Sequence, residues 1–272
     1  MGISLRHHVV SLVASFLMLL VGLLVGVGLS SEPGLQQTMQ NLSEQFKQLS
    51  AENSTLRTSV ERHEEFERAV LPALVRGRLA GQVIPLLVTA RPPDDSVTKP
   101  VAEALEAAGA KVPYRLIWRD DFAERAFVVY GGDRASACEK AAGEIARCTI
   151  QADERDLQAL RKSKLIRIEG RVPAISPTAV VVLGGADDQT RAAADSIDRP
   201  VLEALVAGGM ANLVACEGSP VVSYMSVYRG LDVSTADNVN LARFRVALVL
   251  ALADQPGSYG PRLLGDNLPQ LK

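Results

Sequence analysis

The chain has 272 residues, with 29 Lys and Arg against 31 Asp and Glu, a formal charge of −2 and 4% aromatic residues. That length suits one ordinary globular domain with accessories. The balanced charge removes the basic footprint of nucleic-acid binding, and the scarcity of aromatics removes the stacking platforms.

Residues 1–8 form a short N-terminus carrying Arg6, followed at 9–29 by VVSLVASFLMLLVGLLVGVGL, which contains no charge. A bilayer core requires ~20 apolar residues in a helix, and this run supplies them. A cleaved signal peptide is the alternative, with Gly28-Leu29-Ser30 as small residues for cleavage. The run exceeds the usual apolar region of ~7–15 residues, which favours an uncleaved anchor in a lipid bilayer. Arg6 before the run and Glu32 after it place the N-terminus in the cytoplasm and the rest of the chain outside it. Gly22 and Gly26 form a GxxxG spacing, which lets two membrane helices approach closely.

Over residues 35–76 two seven-residue series interleave. Leu35, Leu42, Leu49, Leu56, His63 and Val70 form one; Met39, Phe46, Asn53, Val60, Glu67 and Leu74 form the other. Their 3–4 alternation predicts a coiled-coil stalk, and a single Asn53 at an a position favours a parallel homodimer in register. The dimerising set is Leu35, Leu42, Leu49, Asn53, Leu56 and Val60, with Glu52 and Arg57 placed to pair between chains. One amphipathic helix lying on the following domain is the alternative, although that use calls for a broader apolar face. Pro72 and Gly77 predict the end of the stalk.

Residues 82–254 alternate short apolar runs with helix-period segments, which predicts an extracytoplasmic α/β domain with a mainly parallel sheet, before a tail at 255–272. Strands are expected at 83–89, 111–118, 127–130, 179–183 and 213–216, with a helix at 97–108. Residues 100–109 (PVAEALEAAG) echo 200–209 (PVLEALVAGG), each with a proline opening a helix and a glycine closing it, as two related βαβ halves would show. Parallel sheets place ligands beyond the carboxyl ends of their strands. Gly131, Gly132, Asp133, Gly184, Gly185 and Asp187 are therefore the candidate crevice residues, or else simply tight turns. Neither GxGxxG nor GxxxxGK[ST] accompanies them.

The three histidines are His7, His8 and His63, so residues 82–254 contain none. Ser-His-Asp and Cys-His catalysis and histidine-bearing zinc sites cannot be assembled there, and no catalytic residues are assigned. Asp94-Asp95, Asp120-Asp121 and Asp187-Asp188 are adjacent carboxylates in expected turns, where solvation is the ordinary role. The cysteines, Cys138, Cys148 and Cys216, show no CxxC spacing. If Cys138 and Cys148 lie on one helix, ten residues of rise separate them by ~15 Å, and a disulfide requires that helix to break; the other reading is that they are small buried residues.

Residues 3–12 (ISLRHHVVSL), 237–239 (DNV) and 257–260 (GSYG) followed by Leu268-Pro269, with the leucine-spaced stalk, resemble the copper transport outer membrane protein family from end to end. The resemblance implies a bacterial envelope protein of copper efflux or homeostasis, described for the family as channel-like. For some relatives it implies instead a dimer that recruits or regulates a cell-wall hydrolase in daughter-cell separation, which is a non-catalytic scaffold with an envelope protein partner. Copper favours thiolates, thioethers and imidazoles. Met210, Cys216 and Met225 are the nearest to a soft cluster in the α/β region, with the core as their alternative place.

Overall fold

In the computed structural model, residues 5–29, 33–91, 94–187 and 193–261 are described. The chain divides into two compact units, Met1–His63 and Glu64–Lys272.

The first unit holds helix α1 (Leu5–Leu29) and most of helix α2 (Pro33–Val75). Pro33 suits the first helical position, where its missing N–H costs nothing. Among the described residues no helix is long and apolar enough to cross a membrane. The side chains of α1 are described without a gap only from 11 to 23, so part of the uncharged 9–29 run lies outside the described residues. Along α2, Leu42, Phe46, Leu49, Leu56 and Val60 are all exposed within this single chain, Phe46 by 75%. Asn53 is exposed beside them, while the side chain of Leu35 lies outside the described residues. At Gly22 and Gly26 a built Cβ would meet no heavy atom within 4 Å.

The last turns of α2 belong to the second unit. Leu71 and Val75 are buried there, and Glu67 accepts from the Arg243 guanidinium at 3.0 Å. Pro72 does not stop α2, which runs on to Val75 and turns at Gly77, where φ is +75°.

The core of this unit is a seven-stranded sheet. Its strands are β1 (Leu86–Val88), β2 (Tyr114–Trp118), β3 (Ile166–Gly170), β4 (Val180–Gly184), β5 (Leu213–Glu217), β6 (Ser234–Ala236) and β7 (Ser258–Tyr259). They lie in the order β3-β2-β1-β4-β5-β6-β7, and all neighbours are parallel except β2 and β3. The helices are α3 (Asp95–Ala107), α4 (Phe122–Tyr130), α5 (Arg134–Gln151), α6 (Glu154–Lys162), α7 (Arg199–Ala207), α8 (Met225–Tyr228) and α9 (Ala242–Ala253). α3, α9 and the end of α2 cover one face, on which Leu86, Val88, Val181, Leu183, Val214 and Cys216 are buried. α4, α5, α6, α7 and α8 cover the other, on which Leu87, Val180, Val182, Leu213 and Ala215 are buried. Burial on both faces is why these strands read as continuous apolar runs.

The echoed segments are the helices of two βαβ units, β1-α3-β2 and β4-α7-β5, which lie side by side and run outward in opposite directions. α3 and α7 accordingly pack on opposite faces of the sheet. Pro100 does not open its helix. Asp94 caps α3 earlier, its carboxylate accepting from Ser96 N at 2.8 Å, and Pro100 lies inside the helix. The strand expected at 127–130 is the end of helix α4. Phe122 and Ala126, four residues apart, bury one side of it, and Val128 is 74% exposed. A four-residue apolar run cannot by its period tell a strand from a helix. Cys138 and Cys148 are both buried on the unbroken helix α5, and all three cysteines are free.

Leu86 sits in the central strand β1 with no exposed surface. Leu86→Ala should cost about 2–5 kcal/mol of unfolding free energy by denaturant titration, the usual range for a leucine removed from a packed core. Leu56→Ala on the exposed row of α2 should leave the melting of the α/β unit within about 0.5 kcal/mol.

The crevice at the switch point as candidate functional site

Between β1 and β4 the direction of strand addition reverses, and at such a point the loops from the two carboxyl ends diverge and leave a crevice. Here it encloses about 110 Å³ and is lined by Arg91, Asp94, Gly184, Gly185, Asp187 and Ser219, among others. The chain after β1 runs on as an extension of the sheet. Arg91 N donates to Gly185 O at 3.0 Å, and Asp187 N donates to Arg91 O at 2.8 Å. Ala186 and Val222 exchange backbone hydrogen bonds at 3.2 and 2.8 Å, tying the loop after β5 to the same wall. The Arg91 guanidinium turns toward the end of β2, where it donates to Asp120 O at 2.9 Å.

Two of the glycines are required by space. Gly185 has φ of +99°, and a Cβ there would come within 2.8 Å of Pro220 Cγ. At Gly184 a Cβ would meet Tyr228 Oη and Asp198 Oδ2.

Behind Gly184 lies a buried polar group of side chains. Asp198 ends a π-helical turn, Ala194–Asp198, that leads into α7, and its carboxyl is buried. Tyr228 Oη–H donates to Asp198 Oδ2, and Thr89 Oγ1 lies 2.8 Å from the same oxygen and 3.3 Å from Leu183 O. Thr89 Oγ1–H donates to the Asp198 carboxyl and shares its proton with Leu183 O. Burial pushes the Asp198 carboxyl up to about 7 against the pull of Tyr228, Thr89 and Arg91. Nearby, the buried Glu217 accepts from Ser223 Oγ and from Tyr224 N, the latter at 2.8 Å.

Gly184, Gly185 and Asp187 thus come together at the crevice. Gly131, Gly132 and Asp133 are not part of its lining; they form the turn between α4 and α5. Gly131 and Gly132 have φ of +66° and +83°, and Asp133 caps α5 by accepting from Ser136 N at 2.9 Å. That amide holds the Asp133 carboxyl below the usual range. Asp188 lies outside the described residues.

Met210, Cys216 and Met225 are not brought together. Met210 and Met225 are buried in the core under α5 and α7, whereas Cys216 points into the core on the other face of the sheet. Burial pushes the Cys216 thiol up, which keeps it protonated and a poor ligand. Among the described residues no group of three or more His, Cys, Asp or Glu side chains could hold a metal ion.

Thr89, Asp198 and Tyr228 were not singled out by sequence reasoning. Glu217 left a signal, as a carboxylate ending an apolar strand. Asp198 left none, because a π-helical turn has no pattern to read.

The folded Asp198 carboxyl keeps its proton up to about pH 7, whereas in the unfolded chain it releases it near the ordinary value of 3.8. The proton-linked stability is therefore complete below the unfolded value, declines as pH rises toward 7, and is gone above it. Asp198→Asn should flatten the dependence of unfolding free energy on pH across this window, a difference of about a few kcal/mol, in denaturant titrations at several pH values.

Comparison with known proteins places the whole chain. Residues 2–262 match the family described as copper transport outer membrane protein, MctB. Copper transporter MctB of Mycobacterium bovis is 24% identical over a 302-residue alignment that covers 95% of this chain and 96% of the relative. The protein of that name from Mycobacterium tuberculosis gives the same identity and coverage. The match takes in α1, α2 and the entire sheet, and the chain belongs to the copper transport outer membrane protein family.

Proposed function

We propose that this chain acts in copper transport and homeostasis at a bacterial cell envelope, as a membrane-anchored protein that works in self-associated form. The observation that carries the reading is the match of residues 2–262 to a copper transport family, with relatives named copper transporters aligned over 95% of the chain. The uncharged run at 9–29, within helix α1, supports a single-pass anchor. Gly22 and Gly26 leave an open strip on which a second such helix can pack.

Self-association is supported by the exposed row on α2. Leu42, Leu49, Leu56 and Val60 are between 54% and 66% exposed in one chain, at the spacing of a coiled-coil seam. Asn53 on the same seam fixes a parallel register. Met210, Cys216 and Met225 do not converge on one side of the sheet, and copper handling is assigned to the assembly, with any channel-like path built between copies.

A second reading is favoured by the same exposed row. A dimer of α/β units is a scaffold for an envelope partner such as a cell-wall hydrolase system, and needs neither a metal site nor catalysis. Such a dimer creates a groove between its two heads or alongside the stalk, in which an amphipathic partner helix can lie.

Sedimentation of the full chain in detergent, with and without Cu(I), tests the self-association. The parent should be a dimer under both conditions. Leu42→Asp combined with Leu49→Asp should weaken dimerisation by about a hundredfold or more while the α/β unit keeps its unfolding transition. A parent that is monomeric, or that dimerises only with Cu(I), would overturn the seam and assign assembly to the metal.

A further inference from the structure

We infer that the Asp198 carboxyl is a proton-operated latch: neutral, it holds α8 against the carboxyl edge of the sheet, and ionised, it loosens α8 and opens the crevice beside Gly184. The inference is independent of the copper reading.

Its first support is placement. π-helical turns are rare and recur at functional sites. This one turns Asp198 inward while Asp195, in the same turn, stays outside and pairs with Arg199 at 2.9 Å. The inward carboxyl touches the end of β1 through Thr89, α8 through Tyr228 and the backbone of β4 at Gly184. One titratable group therefore links three elements that meet at the crevice.

The second support is what α8 rests on. It is four residues long, and the chain before it is fastened to the crevice wall by the Ala186–Val222 pair. Tyr224, Met225, Val227 and Tyr228 are buried, so α8 is held by its side chains, and the Tyr228 hydroxyl rests on Asp198. Opening here would hydrate Asp198 and let it ionise near its ordinary value.

Burial sets the sign, and the groups facing Asp198 modulate it. From the end of β1 come Thr89 and Arg91, and Arg91 favours the ionised form. α8 presents Tyr228, whose hydrogen bond also favours ionisation, and the end of β5 presents Glu217, which opposes it. α5 contributes alanines, Ile145 and the Cys138 thiol to this layer, and α7 contributes Val201, Leu202 and Leu205. Burial outweighs the favourable contacts, so the closed state holds a proton that the open state releases.

Opening should therefore increase as pH rises from about 4 toward 7 and level off above it, because past that point both states are ionised. Hydrogen exchange of the full chain in detergent, corrected for intrinsic exchange, reads this directly. Between about pH 5 and pH 8 the amides of residues 224–231 should lose protection about tenfold or more, while those of β4 and β5 change little.

Asp198→Asn should abolish the dependence. Two milder variants keep the test decisive if that one folds poorly. Arg91→Gln should move the levelling-off to higher pH, and Glu217→Gln to lower pH. Equal protection of residues 224–231 at both pH values, an equal loss across the whole sheet, or shifts of the same sign in the two variants would overturn the latch.

Discussion

The close approach of the β4 backbone at Gly184 to the Asp198–Tyr228 pair is the contact on which the carboxyl edge of the sheet depends. Any side chain at 184 would occupy the space of the tyrosine hydroxyl and the carboxyl oxygen. The π-helical turn supplies the carboxyl, α8 supplies the phenol, and Thr89 closes the group from the end of β1. This arrangement is possible because strand addition reverses between β1 and β4, so that the loops part there and leave room.

Around that point the molecule is conservative. Alternate residues of β1, β4 and β5 feed two apolar cores, with α3, α9 and the end of α2 on one side and α4 to α8 on the other. Cys216 lies in the core on one face of the sheet, and Met210 and Met225 lie in the core on the other. Family membership links the chain to copper transport, and the physical features that suit such a role lie at the other end, in the uncharged run of α1 and the exposed row of α2. The crevice contributes a buried acid instead, and its chemistry is that of a proton.

How much was legible in the sequence varied with the range of the interaction that decides it. β4 and β5 could be read because burial on both faces leaves a plain apolar run, and the repeated proline-to-glycine segments marked α3 and α7 as partners in equivalent units. Helix α4 differs from the expected strand because Phe127, Val128 and Val129 are exposed, and the side facing the core is set by Phe122, Ala126 and Tyr130 at helical spacing. Half of the candidate crevice was legible: Gly184, Gly185 and Asp187 follow a true strand, whereas Gly131, Gly132 and Asp133 follow a helix and cap the next. Thr89, Asp198 and Tyr228 lie far apart in the chain and meet only through the topology, so no local pattern announces them. The pairing of Met210, Met225 and Cys216 failed for a related reason, since nearness in sequence says nothing about the side of a sheet.

The proposal that joins these features is that the chain acts in copper transport as a self-associated assembly. Metal analysis of cells lacking the gene, complemented with either the parent chain or the variant carrying Leu42→Asp and Leu49→Asp, tests it most directly. The account predicts that loss of the gene raises cell-associated copper, that the parent restores it, and that the seam variant, equally abundant in the membrane, does not. Copper that is unchanged on loss of the gene, or restored fully by the seam variant, would contradict it.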